Sequence, residues 1–256
     1  MFGGMDDTHL YWPRSRRWLR AARDATDPSL RLLGAGFGGL AVLVGVVAAV
    51  FGDTGAYPLG SVVAGYALAL GAAVYLMEKG YPHRALGLCN LVTLVRLVLV
   101  AALAVPLAAG TGGGEEVFAL ALVVLLLDGL DGWLARRAGL ASAFGARFDM
   151  EVDSALALVL ALHAWIGGAA GALVLVLGLP RYAFAAAGAV LPWLRAPLPE
   201  RFSRKAVCVL QLGVLVVLQL PALPGWLTAT LVAAAALALV WSFWRDVVWL
   251  RRQAIP

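Results

Sequence analysis

Charge is scarce in this sequence: only 14% of its 256 residues are charged, against 62% hydrophobic. A water-soluble globular domain needs more polar surface than that, and a mean hydropathy of +0.87 makes the bilayer the expected solvent. Cysteine is almost missing as well. Cys89 and Cys208 fall in or beside apolar runs and show no CxxC or similar metal-ligand spacing, so both read as core or lipid-facing residues. The first apolar run lacks a small-residue cleavage site, so it is expected to stay as an anchor and not to be removed as a signal peptide. A basic surface with interleaved aromatics is also lacking. The net charge of +5 and pI near 9.6 therefore do not point to nucleic acid, because the basic residues gather at the ends of apolar runs.

Those runs are what the sequence has in abundance. Eight can be drawn, at about 32–51, 59–77, 88–109, 117–134, 146–166, 170–194, 206–220 and 226–244. A hydrocarbon core of roughly 30 Å takes about 20 apolar residues to cross as a helix. In lipid the backbone must satisfy its own hydrogen bonds, so the expected fold class is an all-α, polytopic helical bundle in the membrane. No internal repeat is evident.

Charge alternates along the connections. Arg14, Arg16, Arg17, Arg20, Arg23 and Arg31 precede the first run, and Lys79 and Arg84 follow the second. Arg136, Arg137 and Arg147 follow the fourth, Arg195, Arg201, Arg204 and Lys205 the sixth, and Arg245, Arg251 and Arg252 the eighth. The intervening connections carry Asp53, Glu115 and Glu116 and no Lys or Arg. By the positive-inside rule both termini are expected in the cytoplasm. The segment from Tyr11 to Arg23 pairs Trp12, Trp18 and Leu19 with arginines, which suits an anionic membrane surface; a solvated topology signal is the plainer alternative.

Four aspartates stand out between the fourth and fifth runs: Asp128, Asp131, Asp149 and Asp153. Carboxylates in membrane helices are costly and mark function by default. Spacings of three and four residues put each pair on one helical face, and the two helices run in opposite directions, so one short loop brings all four to the cytoplasmic side. Clustered carboxylates repel one another unless cations intervene. Hard divalent ions such as Mg²⁺ or Mn²⁺ accept oxygen ligands, and the lack of His or Cys beside the acids argues against zinc. Gly129, Gly132 and Gly145 lie among them, where a missing side chain lets a ligand come close, and Arg136 offers a planar fork to a phosphate. A lone aspartate paired with an arginine, and glycines serving only close helix packing, are the plainer alternatives; four acids with interleaved glycines make them poor ones.

The pattern Asp128-x2-Asp131-Gly132-x2-Ala135-Arg136-x8-Gly145-x3-Asp149-x3-Asp153 resembles the signature of the CDP-alcohol phosphatidyltransferases, membrane enzymes that condense a CDP-linked lipid with an alcohol and release CMP. Asn90-x2-Thr93-x2-Arg96 resembles the opening of the family's first core helix, with Cys89 where many members have proline. Asn90, Thr93 and Arg96 recur every three residues on one stripe and could line a nucleotide site; a snorkelling arginine with two packing residues is the alternative. The resemblance implies the following division: a basic cytoplasmic segment at 1–31, two extra membrane helices at 32–87, a six-helix catalytic core at 88–244 and a cytoplasmic tail at 245–256.

The resemblance further implies two Mg²⁺ or Mn²⁺ ions held by Asp128, Asp131, Asp149 and Asp153, with Asp153 as catalytic base. It implies nucleotide contacts at Asn90, Thr93, Gly132, Ala135, Arg136 and Gly145, and an acceptor pocket lined by basic residues of later helices. Arg181, near mid-depth of the sixth run, and Arg204 and Lys205, at the start of the seventh, are the candidates for that pocket. The positive-inside signal is the alternative for the last two. The expected partners are CDP-diacylglycerol, an alcohol acceptor and membrane lipid. The expected location is a bacterial inner (cytoplasmic) membrane, with the active site facing the cytoplasm. Members are often homodimers, though no residue here defines an interface. His163, deep in the fifth run, reads as a satisfied packing residue. A cation transporter and a catalytically inactive scaffold are the competing functions; a transporter would need an acidic pathway across the bilayer.

Overall fold

In a computed structural model the described residues are 27–254, without 139, 197, 200 and 222 and without the side chains of Asp131, Trp133, Ala135, Arg136 and Ala138. The expectations for the basic N-terminal stretch up to Arg23, and for the side chains of Asp131, Ala135 and Arg136, therefore fall outside the described residues. The described chain is helical and contains no strand. In chain order the helices are α1 (Pro28–Phe51), α2 (Ala56–Gly80), α3 (Leu88–Ala108), α4 (Glu115–Ala138), α5 (Ala143–Ile166), α6 (Leu175–Gly178), α7 (Pro180–Val190), α8 (Phe202–Val217) and α9 (Gly225–Ala254). Short 3-10 turns at Ala172–Val174 and Pro192–Arg195 flank α6 and α7.

Local chemistry sets the helix starts and turns. Asp27 caps α1 by accepting from the Ser29 amide at 3.0 Å, and Pro28 occupies the first helical position, where its missing N–H costs nothing. The α1–α2 turn places Gly52 and Gly55 at positive φ, and Asp53 accepts from the Gly55 amide at 2.9 Å. Gly39 then lets the hairpin close on the bundle. A Cβ there would lie 2.6 Å from Tyr66 Oη and 2.9 Å from Val98 Cγ2, and Tyr66 Oη donates to the Gly36 carbonyl at 2.9 Å. In lipid such contacts stabilise by packing and hydrogen bonding, not by expelling water.

α3 is the axis of the molecule. It packs against α1, α2, α4 and α5, and 61% of its most apolar window is buried, against 17% in α1 and in α2. Among the described residues four helices are long and apolar enough to cross a membrane alone, namely α1, α2, α3 and α9, and the bent pair α6–α7 adds a fifth on the same criterion. α4 and α5 carry the acidic residues.

Two departures from the expected spans bear on the site. The sixth run is not one helix: it breaks between Gly178 and Pro180 with a bend of 63°. Pro180 has no N–H to continue the ladder and its ring collides with the preceding turn. Arg181 therefore stands in the first turn of α7 and not at mid-depth of a straight span. The eighth run continues as helix through Arg245 to Ala254, with Ser242, Asp246 and Leu250 buried at four-residue intervals, so helix and not free tail follows residue 244.

His163 behaves as its sequence context predicts. Its Nδ1 accepts from the Gly113 amide at 3.1 Å, which leaves Nε2 to donate to the Leu103 carbonyl at 2.8 Å. It ties α5 to the glycine-rich turn that follows α3.

Candidate active site

Three helices converge on one cluster of polar side chains. α3 contributes Asn90, Thr93 and Arg96, which are 1%, 3% and 0% exposed. Thr93 Oγ1 donates back to the Cys89 carbonyl at 3.0 Å. α4 contributes Asp128, and α5 contributes Asp149 and Asp153. Asp128 precedes the end of α4, and Asp153 follows the start of α5, by about 15 Å of helix at 1.5 Å per residue. The acids thus lie deeper in their helices than the run boundaries alone place them, because both helices extend past those boundaries.

Arg96 is the centre of this arrangement. Its Nη2 meets Asp128 Oδ1 at 2.8 Å and bonds Asp153 Oδ1, while Nη1 bonds Asp149 Oδ1. Sequence spacing groups Arg96 with a nucleotide stripe; the structure puts its guanidinium among the aspartates. A buried cation on this face of α3 and three acids on facing helices are the long-range signal that spacing within one helix does not carry.

The ligand oxygens of Asp128, Asp149 and Asp153 all lie within 4.8 Å of one another. Among the described side chains here, three carboxylates meet one buried guanidinium, an excess of negative charge. An oxygen-only donor set with that residual charge fits a hard divalent cation. Asp131 follows Asp128 by one helical turn, with its side chain outside the described set.

The start of α5 is shaped for close approach. Ser142 caps the helix by accepting from the Gly145 amide at 3.0 Å. A Cβ at Gly145 would sit 3.2 Å from Asn90 Oδ1 and 3.2 Å from Ser142 Oγ, so the glycine keeps a cradle open beside Asn90. Asn90 Nδ2 in turn donates to Tyr81 Oη at 3.2 Å, and Tyr81 Oη donates to the Ala85 carbonyl at 2.9 Å. Tyr81 also packs edge-on against Phe144 at 5.8 Å. Nothing in the local sequence pattern marks Tyr81 for this contact. Gly132, half-buried on α4, belongs to the same helix segment as the acids.

A cavity of about 580 Å³ opens from the acids. Asp149 and Asp153 line it together with Arg181, Arg195, Arg204, Lys205 and Asp246. The three basic residues singled out in the sequence are therefore brought to one cavity with the aspartates. Two of them carry carboxylate partners that spacing does not reveal. Arg181 bonds Glu151 of α5, and Arg204 grips Asp246 of α9 through Nε at 2.9 Å and Nη2 at 3.1 Å. Arg195 donates to the Gly188 carbonyl at 2.6 Å, at the end of α7. Lys205 has no hydrogen-bonded or ionic partner among the described residues.

One comparison with known proteins gives a match. The family model for CDP-alcohol phosphatidyltransferase matches residues 86–244, which include α3 to α8, the whole acidic cluster and most of α9. No match was found among curated proteins or among solved structures. With the match spanning well over half of the chain and covering the four aspartates, the protein belongs to the CDP-alcohol phosphatidyltransferase family.

Proposed function

We propose that the chain transfers the phosphatidyl group of CDP-diacylglycerol to an alcohol and releases CMP, as a multi-pass enzyme of phospholipid synthesis. One observation supports this most: three carboxylates converge on one buried guanidinium at the edge of a cavity that also carries Arg181, Arg204 and Lys205. Family membership supports phosphatidyl transfer from a CDP-alcohol; the donor lipid, the metals and the residue roles are our reading. The transport alternative needs carboxylates spread along the depth of the bundle, whereas Asp128, Asp149 and Asp153 meet at a single point.

In this reading Asp128, Asp131, Asp149 and Asp153 hold two divalent cations, Mg²⁺ or Mn²⁺. When bound, such ions neutralise pyrophosphate charge and make the lipid-bearing phosphorus more electrophilic. Asn90, Thr93, Gly132, Ala135, Arg136 and Gly145 serve the cytidine nucleotide, the glycines by leaving room for it. Asp153 takes the proton of the acceptor hydroxyl. The acceptor oxygen then bonds to the lipid-bearing phosphorus as the bond between that phosphorus and the CMP oxygen breaks. Arg181, Arg204 and Lys205 hold the acceptor in the cavity. In this reading the site faces the cytoplasm, as the Arg-rich connections support, and the membrane is a bacterial inner one.

The test is purified protein with radiolabelled CDP-diacylglycerol and a panel of alcohols: glycerol 3-phosphate, serine, inositol, inositol phosphate, choline and a phospholipid. CMP release that depends on an acceptor and stops in excess EDTA is expected. Full turnover in EDTA would remove the metals from the account, and no turnover with any acceptor would remove the transfer reaction.

A further inference from the structure

Asp246 lies two residues beyond the segment that matches the family, yet it lines the same cavity as Asp149 and Asp153. It is 5% exposed, and burying a carboxylate that deeply is costly unless a partner satisfies it. The partner is Arg204, held through Nε to Oδ2 at 2.9 Å and Nη2 to Oδ1 at 3.1 Å, while Nη2 also donates to the Pro199 carbonyl at 3.2 Å.

The donor count is informative. A guanidinium has five N–H donors, and these bonds use three of them, all on Nε and Nη2. Nη1 has no partner among the described residues, although Arg204 borders the cavity. The adjacent pair, Arg245 Nη2 to Ser203 Oγ at 2.8 Å, joins the same two helices one residue earlier on each. Helix docking at this point thus has a bond of its own, and the bidentate pair fixes the plane of Arg204 in addition.

We infer that Asp246 is a positioning residue for the acceptor: it holds the Arg204 guanidinium in one orientation at the cavity, so that Nη1 is presented to the acceptor head. The inference rests on the reading of this cavity as the acceptor pocket. Lys205, the next residue, then supplies a mobile second cation where Arg204 supplies a fixed one.

Steady-state kinetics tests it, with CDP-diacylglycerol as donor and whichever alcohol of the panel the wild type uses best. Asp246→Asn should raise the acceptor KM about tenfold, the worth of one charge-assisted hydrogen bond, and leave the donor KM within about twofold. Asp246→Glu should recover part of the loss. Arg204→Met should raise the acceptor KM similarly, and the double variant should add little to either single change. Ser203→Ala removes only the neighbouring α8–α9 bond and should leave the acceptor KM unchanged. An unchanged or lowered acceptor KM in Asp246→Asn, a parallel rise in both KM values, or an equal rise in Ser203→Ala would overturn the inference. Absence of acceptor-dependent turnover in the wild type would instead refute the transferase reading beneath it.

Discussion

Arg96 of α3 and Asp128 of α4 form an ion pair of 2.8 Å, and the same guanidinium bonds the two aspartates of α5. One side chain thereby joins α3 to the two helices that carry the acidic cluster. Removing it should leave three half-buried carboxylates without the cation they share. Arg96→Met is expected to destabilise the protein in detergent by about 3–5 kcal/mol, the usual cost of breaking a buried pair from one side. A divalent cation should replace the missing charge. Added Mg²⁺ is therefore expected to raise the thermal midpoint more in Arg96→Met than in wild type, and equal shifts would show that ion and guanidinium do not share the carboxylates.

Gly145 separates stability from donor binding. Ala in its place gains about 1 kcal/mol of helix propensity, but its Cβ arrives 3.2 Å from Asn90 Oδ1. Gly145→Ala should keep the thermal midpoint and weaken CDP-diacylglycerol binding several-fold. Unaltered donor affinity, measured directly, would mean that the cradle beside Asn90 does not receive the nucleotide.

Glu151 lies off the stripe shared by Asp149 and Asp153, which by itself predicts a mild effect for Glu151→Gln. Its bond to Arg181 adds a direction to that prediction. The pair is partly exposed, at 28% and 42%, so its loss is worth about 1 kcal/mol or less. Acceptor KM should rise no more than about fivefold, with donor KM unmoved. A collapse of turnover would put Glu151 among the reacting groups.

The positive-inside pattern predicts that the turn between α3 and α4 is external. Cysteines introduced beside Glu115 should react with impermeant reagent from outside intact cells, and a cysteine near residue 252 only after permeabilisation. Labelling of the Glu115 turn from the cytoplasmic side alone would invert the topology.

The sequence made the acidic cluster legible because it is local. Asp128 and Asp131, and Asp149 and Asp153, stand at helical spacing on two consecutive helices, and helical period is what a sequence displays. The partners of the basic residues were not legible. Arg204 and Asp246 are 42 positions apart, Arg181 and Glu151 are 30 apart, and no periodicity links them. Asp246 was further hidden by ending the last span at residue 244, since a run of apolar residues stops at its first charges whereas the helix does not. The break at Pro180 shows the reverse case. Composition stays apolar through 170–194, so hydropathy joins what one proline divides.

If the aspartates run the transfer with Asp153 taking the proton, Asp153→Asn is the decisive variant. An amide keeps an oxygen that can accept hydrogen bonds but cannot act as the base. Donor binding and acceptor-dependent CMP release should be measured side by side on wild type, Asp153→Asn, and Asp128→Asn. Asp153→Asn should lose turnover by about a hundredfold or more while retaining measurable CDP-diacylglycerol binding, and Asp128→Asn should lose both. Near-normal CMP release by Asp153→Asn would contradict Asp153 as the base.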